Sequence, residues 1–221
     1  MKVLIYSTDL NHGNIEHLAS SIGAEILPIM LPWTMDFYPK SYSVYQYLKN
    51  LNSKEHVVVC DAYDVIALNK CTNKLLEENI LSFFDDNKVT FNAEINCFPD
   101  GSLAGRYPDT NSKWKYLNAG IYTGKVENIL QMLDLVLSKI VNSMDQLEFS
   151  KLFLDSTLID LDYECKTFQT LYSGSVGGSV DVSDFIVKDG NIYNKHYNTV
   201  PLLFHGNGKT DMRNLLSLLK S

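Results

Sequence analysis

His56-Val57-Val58-Val59-Cys60-Asp61-Ala62-Tyr63-Asp64 sits a quarter of the way along the chain. Its apolar run is short and dominated by β-branched residues, so residues 56–60 read as a central strand buried on both faces. The run ends on two carboxylates three positions apart. In an extended chain, residues i and i+3 point to opposite faces. Asp61 and Asp64 therefore converge only if the chain turns as soon as the strand ends. Such a turn can hold a divalent ion by oxygen atoms. The same two residues would equally serve as a turn cap, Asp61, and a solvated acid, Asp64.

On either side of this strand the pattern alternates. Val3 to Tyr6 reads as a strand, Asn11 to Gly23 as a helix, Ile26 to Met30 as a strand and Ser41 to Leu51 as a helix. Leu31 to Lys40, with Pro32, Pro39, Trp33, Phe37 and Tyr38, reads as an aromatic-rich loop. Thr72 to Phe84 is amphipathic, Val89 to Ala93 strand-like, and Pro99 to Lys115 a polar loop. Tyr116 to Tyr122 and Val126 to Val141 read as strand and helix. Ser143-Met144-Asp145-Gln146 matches an S-x-x-Q capping box, which predicts a helix from there to about Leu154. Lys188-Asp189-Gly190-Asn191 reads as a hairpin turn. Pro201 to Phe204 reads as a strand, with a last helix around Leu215 to Leu219. Strands alternating with helices predict an α/β fold. In such folds ligands lie beyond the carboxyl ends of strands, which singles out Ser7 to Asp9, Asp61 to Asp64, Glu94, Asn118 and His205.

Two of these positions, and one more at the start of a helix, carry motifs. His205-Gly206-Asn207-Gly208 follows a strand. An imidazole there can offer a neutral nitrogen to a metal, and flanking glycines let backbone approach a phosphate. Asn207 and Lys209 could reach that phosphate; a plain glycine turn with a passive histidine has the same sequence. Leu117-Asn118-Ala119-Gly120 is a strand of small residues with one amide, suited to the approach of a bulky polar ligand or to a satisfied core asparagine. Asp145 in the first turn of a helix suits the helix dipole whatever else it does. The glycine-containing stretch 174–179 and the aromatic loop are candidates to close over a ligand, or are ordinary surface.

The chain has 221 residues, enough for one domain with a core that needs no staples. Its 19 basic and 26 acidic residues give a net charge of −7. That balance excludes a general nucleic-acid binder, and it implies that a phosphorylated ligand would need a metal ion to supply positive charge. No apolar run is long enough for a membrane span. Cys60, Cys71, Cys97 and Cys165 show no zinc or redox spacing and read as free or structural thiols. The opening MKVLIYSTD lacks a secretory h-region and cleavage site, which suggests a non-secreted chain or a mature fragment.

Taken in order, Asp61-x-Tyr63-Asp64-Val65, Asn92-Ala93-Glu94 with Cys97-Phe98-Pro99, Leu117-Asn118-Ala119-Gly120, Asp145-Gln146 and His205-Gly206-Asn207-Gly208 resemble the glycosyltransferase domain of the multifunctional procollagen lysyl hydroxylases. They also resemble the related collagen glycosyltransferases of giant viruses. The likeness runs from Val3 to about Lys209. It implies a single GT-A-type domain over residues 1–221 with a mixed central sheet flanked by helices, a UDP-sugar donor and Mn²⁺; the lack of a signal peptide, not the likeness, suggests a cytoplasmic or viral protein. The likeness implies that Asp61, Asp64 and His205 hold the metal and that Thr8 and Tyr63 serve the donor, beside which the glycine turn itself places Asn207, Gly208 and Lys209 as donor-binding candidates. Tyr63 would stack on the nucleotide. Asp145 would lie near the transferred sugar and, with Asn118, orient it.

Two departures from the family pattern bear on the choice of sugar and acceptor. Only Asp145 stands where the family has a run of acids, and Phe98 replaces the tryptophan of Cys-Trp-Pro. The reaction implied is glucosyl transfer to galactosyl-hydroxylysine of collagen-like chains. Galactosyl transfer to hydroxylysine, transfer to another acceptor, a nucleotide-sugar hydrolase and an inactive nucleotide-sugar-binding module are the alternatives.

Overall fold

The structure is a computed structural model and describes residues 1–7, 13–28, 37–141, 143–172 and 174–219. In chain order the strands are β1 (Lys2–Ser7), β2 (Glu25–Pro28), β3 (His56–Asp61), β4 (Val65–Ala67), β5 (Val89–Glu94), β6 (Tyr116–Lys125), β7 (Ile159–Asp162), β8 (Phe168–Thr170), β9 (Phe185–Lys188), β10 (Asn191–Asn194) and β11 (Leu203–His205). The helices are α1 (Gly13–Ile22), α2 (Tyr38–Leu48), α3 (Asn73–Phe83), α4 (Val126–Ile140), α5 (Asp145–Asp155) and α6 (Arg213–Leu218).

The main sheet has the order β2-β1-β3-β6-β5-β7. β2, β1 and β3 run parallel; β6 is antiparallel to both β3 and β5; β5 and β7 are again parallel. Alternation along the strands sorts the core into two layers. Leu4, Val57 and Val59 pack with Val44 and Leu48 of α2, Ile129, Leu133 and Val136 of α4, and Phe149 of α5. Val3, Ile5, Val58 and Cys60 face the other way, onto Ile15, Leu18 and Ile22 of α1 and Leu76 and Ile80 of α3. The 56–60 run is thus buried on both faces, as its composition requires.

A second sheet, β4-β11-β8, lies beside the first. β4 pairs antiparallel with β11, placing Val65 opposite His205, and β11 runs parallel to β8. Thr170 Oγ1 of β8 donates to Ala93 O of β5 at 2.7 Å and joins the sheets. β9 and β10 form the expected hairpin, with Asp189 and Gly190 both at positive φ as its two-residue turn.

Some sequence expectations need correction. α2 begins at Tyr38, inside the segment read as loop, because a proline in the first helical turn costs no hydrogen bond. β4, β7 and β8 were not anticipated. The capping box does not form: the N-cap of α5 is Met144 and makes no side-chain cap. Ser143 Oγ donates instead to Glu148 at 2.9 Å, and Gln146 is used elsewhere. All four cysteines are free, three of them buried. No described helix is long and apolar enough to cross a membrane.

Candidate active site

β3 delivers Asp61 at its carboxyl end, and the chain then bends through residues 62–64 into β4. The bend achieves the convergence that an extended chain forbids. Because β4 pairs with β11, Asp64 comes to lie beside the end of the strand carrying His205; Gly206 N donates to Asp64 O at 2.7 Å. One ligand atom from each of Asp61, Asp64 and His205 falls within 4.8 Å of the others. His205 Nε2 is 3.3 Å from Asp64 Oδ2 and 3.7 Å from Asp61 Oδ2. Burial alone would raise the Asp64 carboxyl, but the imidazole outweighs it and holds the group below the usual carboxylate range. Burial would lower His205, yet Asp64, Asp61 and Glu94 raise it. Two carboxylates and an imidazole at this spacing fit a divalent ion that takes mixed oxygen and nitrogen donors.

The other ring nitrogen of His205 faces the amide of Asn92, 3.4 Å away. The amide orientation that satisfies Asn92 puts its nitrogen on Asn118 O and Ile121 O, which leaves its oxygen toward Nδ1. An Nδ1–H donated to that oxygen leaves Nε2 with its lone pair aimed at Asp61 and Asp64, the tautomer a metal requires.

β6 supplies the facing wall through an irregularity. Its register with β5 shifts between Phe91 and Asn92, so that Asn92 pairs with Asn118 rather than with the next residue along. A bulge of this kind re-aims side chains and releases backbone groups from the ladder. Ala119 N donates to Gln146 Oε1 at 3.0 Å and Gly120 N to Asn118 Oδ1 at 2.9 Å. The small residues of 117–120 do make room, but for a protein group. A Cβ on Gly120 would lie 2.1 Å from His205 Cε1.

Glu94, at the end of β5, is the hub of the floor. Its Oε1 accepts from Asn118 Nδ2 at 3.0 Å and Gln146 Nε2 at 2.8 Å, and its Oε2 accepts from Asn207 Nδ2 at 3.1 Å. Burial pushes its carboxyl up to about 7 against the pull of these amides. The native protein therefore keeps a proton on this group up to about pH 7, where the unfolded chain has already lost it. This group's contribution to stability is complete below about pH 4.5 and is lost as the pH rises through 7, about 3 kcal/mol in all. Urea denaturation of cation-free protein should show the fold weakening from pH 5 to pH 8. Glu94→Gln should remove most of that difference; an unchanged slope would place the titration elsewhere.

These groups line a cavity of about 340 Å³ together with Lys40, Asp145, Gly208 and a rim of Phe37, Phe98, Met144, Tyr172 and Val176. Of the residues expected at the site, Asp61, Asp64, His205, Asn118, Asp145, Asn207 and Gly208 all reach this cavity. Asn207 Oδ1 is buried and receives no hydrogen bond among the described residues. Asn118 is more constrained than expected, since its oxygen and one amide hydrogen are already used. Tyr63 stands on the 62–64 bend, 37% exposed and outside the cavity lining. Lys209 is exposed beside Gly208 and also outside the lining. Thr8 lies outside the described residues, as do residues 31–36 of the aromatic loop. The 174–179 stretch is tied down, with Gly177 N donating to Gly208 O at 3.0 Å and Asp211 N to Gly178 O at 2.8 Å.

Nothing in the sequence singled out Lys40 or Tyr6; Asn92 stood only within a motif, Glu94 only as a strand end and Gln146 only as a capping residue. The available signal was polar residues in apolar strands: Asn92 and Glu94 interrupt a strand that is buried throughout. A lone lysine after a proline carries no comparable signal.

A family model, the PLOD GT domain, matches residues 42–219. The chain is 37% identical over 161 residues to the uncharacterized protein R699 of Acanthamoeba polyphaga mimivirus, covering 73% of this chain and 33% of that protein. It is 31% identical over 164 residues to the human multifunctional procollagen lysine hydroxylase and glycosyltransferase LH3, covering 71% of this chain and 21% of that one. These alignments span a third or less of the relatives' length. The crystal structure of a glycosyltransferase involved in glycosylation of the major capsid of PBCV-1 matches with a TM-score of 0.54 over 99% of this chain and 98% of that one, at 14% identity, a likeness of fold alone. The mixed sheet is thus one that a glycosyltransferase also uses. With the family match running from α2 past the His205–Gly208 turn to the last helix, the chain belongs to the PLOD GT domain family.

Proposed function

We propose that residues 1–221 form one cation-dependent hexosyltransferase domain with a UDP-hexose donor. Its reaction is glucosyl transfer to galactosyl-hydroxylysine of collagen-like chains, with galactosyl transfer to hydroxylysine as the second reading. The observation that carries the proposal is the meeting of Asp61, Asp64 and His205 on one side of a cavity whose floor and far wall present Glu94, Asn118 and Asp145. The human relative's name, which joins procollagen lysine and glycosyltransferase, supports the acceptor class.

Asp61, Asp64 and His205 would hold the ion. Its nitrogen ligand suits Mn²⁺ better than Mg²⁺. When bound, the ion supplies the positive charge that an acidic protein lacks for a diphosphate and for the departing nucleotide. Gly208, at φ +69 with its missing Cβ over Tyr172, keeps backbone accessible to a phosphate, and Asn207 and Lys209 flank it. Thr8 is assigned to the donor on the sequence likeness alone. Tyr63, on the bend between the two aspartates, offers a flat face to uracil. Tyr63→Ala should weaken UDP binding by roughly 1–2 kcal/mol, read by calorimetry in Mn²⁺; unchanged affinity removes Tyr63 from the donor site. Asp145 and Asn118 orient the sugar, and the Asp145 carboxylate stabilises positive charge at the anomeric carbon.

The decisive assay is a UDP-sugar panel in Mn²⁺ against deglycosylated and galactosylated collagen peptides. Transfer of one sugar to one peptide is expected. UDP release indifferent to the peptide would instead make the protein a hydrolase, and UDP binding without turnover a binding module. UDP binding as tight in EDTA as in Mn²⁺ would remove the cation from the mechanism.

A further inference from the structure

Lys40 is buried between two acids. Its Nζ lies 3.0 Å from Asp61 Oδ1, 3.2 Å from Asp145 Oδ2 and 4.5 Å from the centre of the Tyr6 ring. The location is unfavourable on two local counts. A buried ammonium loses its hydration, and the first turn of α2, where it sits, is the positive end of a helix dipole. A residue that breaks two local rules is kept in place by what it touches.

Its two partners depend on it unequally. Asp61 Oδ1 also accepts a hydrogen bond from the Tyr6 hydroxyl, so Oδ2 stays turned toward His205 with or without the lysine. Asp145 also has a second partner but is far more deeply buried, its side chain 3% exposed against 27% for Asp61, so its charge has less solvent to fall back on. Its Oδ1 accepts from Gln146 N at 2.7 Å, but its Oδ2 is buried, receives no hydrogen bond among the described residues and faces the ammonium. Burial pushes the Asp145 carboxyl upward, and Lys40 is the strongest influence opposing that push.

We propose that Lys40 is a positioning residue for Asp145, holding that carboxylate as an anion aimed into the cavity, and is not a support of the cation cluster. The proposal rests on the transferase reading for its kinetic consequence, but not for its effect on the fold. Lys40→Met leaves Asp61 oriented by Tyr6 and removes a positive charge beside a cation ligand, so cation affinity is kept or increased. Asp145 becomes an uncompensated buried charge.

The test uses three readouts on the full chain: Mn²⁺ alone titrated by electron paramagnetic resonance, the Tm of cation-free protein, and transfer kinetics. Lys40→Met should bind Mn²⁺ at least as tightly as the wild type and lose about 10 °C in Tm. Its kcat should fall roughly 100-fold with donor KM little changed. Adding Asp145→Asn should restore most of the Tm and none of the kcat, and the double variant should fold even where Lys40→Met alone does not. Lys40→Arg should keep the Tm and recover part of the kcat. Loss of Mn²⁺ binding in Lys40→Met would make Lys40 a prop of the cation cluster and overturn the assignment. A Tm loss that Asp145→Asn fails to relieve, or a misfolded double variant, would make it merely structural. A wild-type protein that binds no Mn²⁺ sinks the transferase reading but leaves the Tm coupling of Lys40 and Asp145 to stand or fall by itself.

Discussion

Asp64→Asn and His205→Gln should each lower transfer by on the order of 10³-fold or more while leaving the cation-free fold nearly as stable as before. The size follows from what is removed. Stabilising developing charge in a water-poor site contributes several kcal/mol, and each 1.36 kcal/mol is tenfold in rate. Both substitutions keep the side chain's bulk close to the original, so packing against β6 and β11 survives. Asp64→Asn deprives His205 of its main anionic partner, but an imidazole can answer by giving up its proton. The Tm should therefore stay within a few degrees of wild type at pH 8 and drop further at pH 6, where the wild-type ring stays charged because Asp64 raises it. Differential scanning fluorimetry beside a UDP-sugar assay decides the matter. Wholesale unfolding at pH 8 would assign the cluster to the fold and not to the reaction.

The second large effect comes from a residue with no side chain. In Gly120→Ala the new methyl would sit 2.1 Å from His205 Cε1, 2.5 Å from Nδ1 and 2.7 Å from Nε2. Imidazole and methyl cannot share that space, and His205 is buried on every side, so the ring must leave its place or the bulge in β6 must open. Overpacking of this kind costs about 1–3 kcal/mol, and displacing Nε2 should abolish Mn²⁺ binding. The expected outcome is a folded protein with a Tm lower by several degrees, no detectable Mn²⁺ affinity and no transfer. A Gly120→Ala protein that binds Mn²⁺ normally would show that His205 is not held against β6.

How legible this architecture was depends on how far each residue's partners lie along the chain. The 56–60 run declared itself because its own composition demands burial on two faces. The long helix α4 and the Asp189-Gly190 hairpin were equally local and equally plain. β4 and β8 have three residues each, too few for any periodicity, and form strands because β11 pairs with both. β7 reads Ile-Asp-Leu-Asp, an alternation that marks it as a strand only beside β5. The capping box failed for the same reason in reverse: Gln146 has a better partner in Glu94, from another strand, than in the backbone of its own helix. At the site, Asp61, Asp64 and His205 could be named from motifs, whereas Lys40 became visible only once α2 was docked over the end of β3. Asn92 was quoted with its neighbours, but its service to His205 depends on a strand that follows more than a hundred residues later.

Every strand of the six-stranded sheet has been synthesised by residue 162, yet the imidazole arrives with residue 205 on a strand of the other sheet. A ribosome-bound or prematurely stopped chain ending between these points would carry every strand of the main sheet but only two of the three residues proposed to hold the ion. On the proposed assignment, the capacity to take up an ion arises only after the main sheet is complete, and a fragment that looks folded by circular dichroism can still be chemically mute.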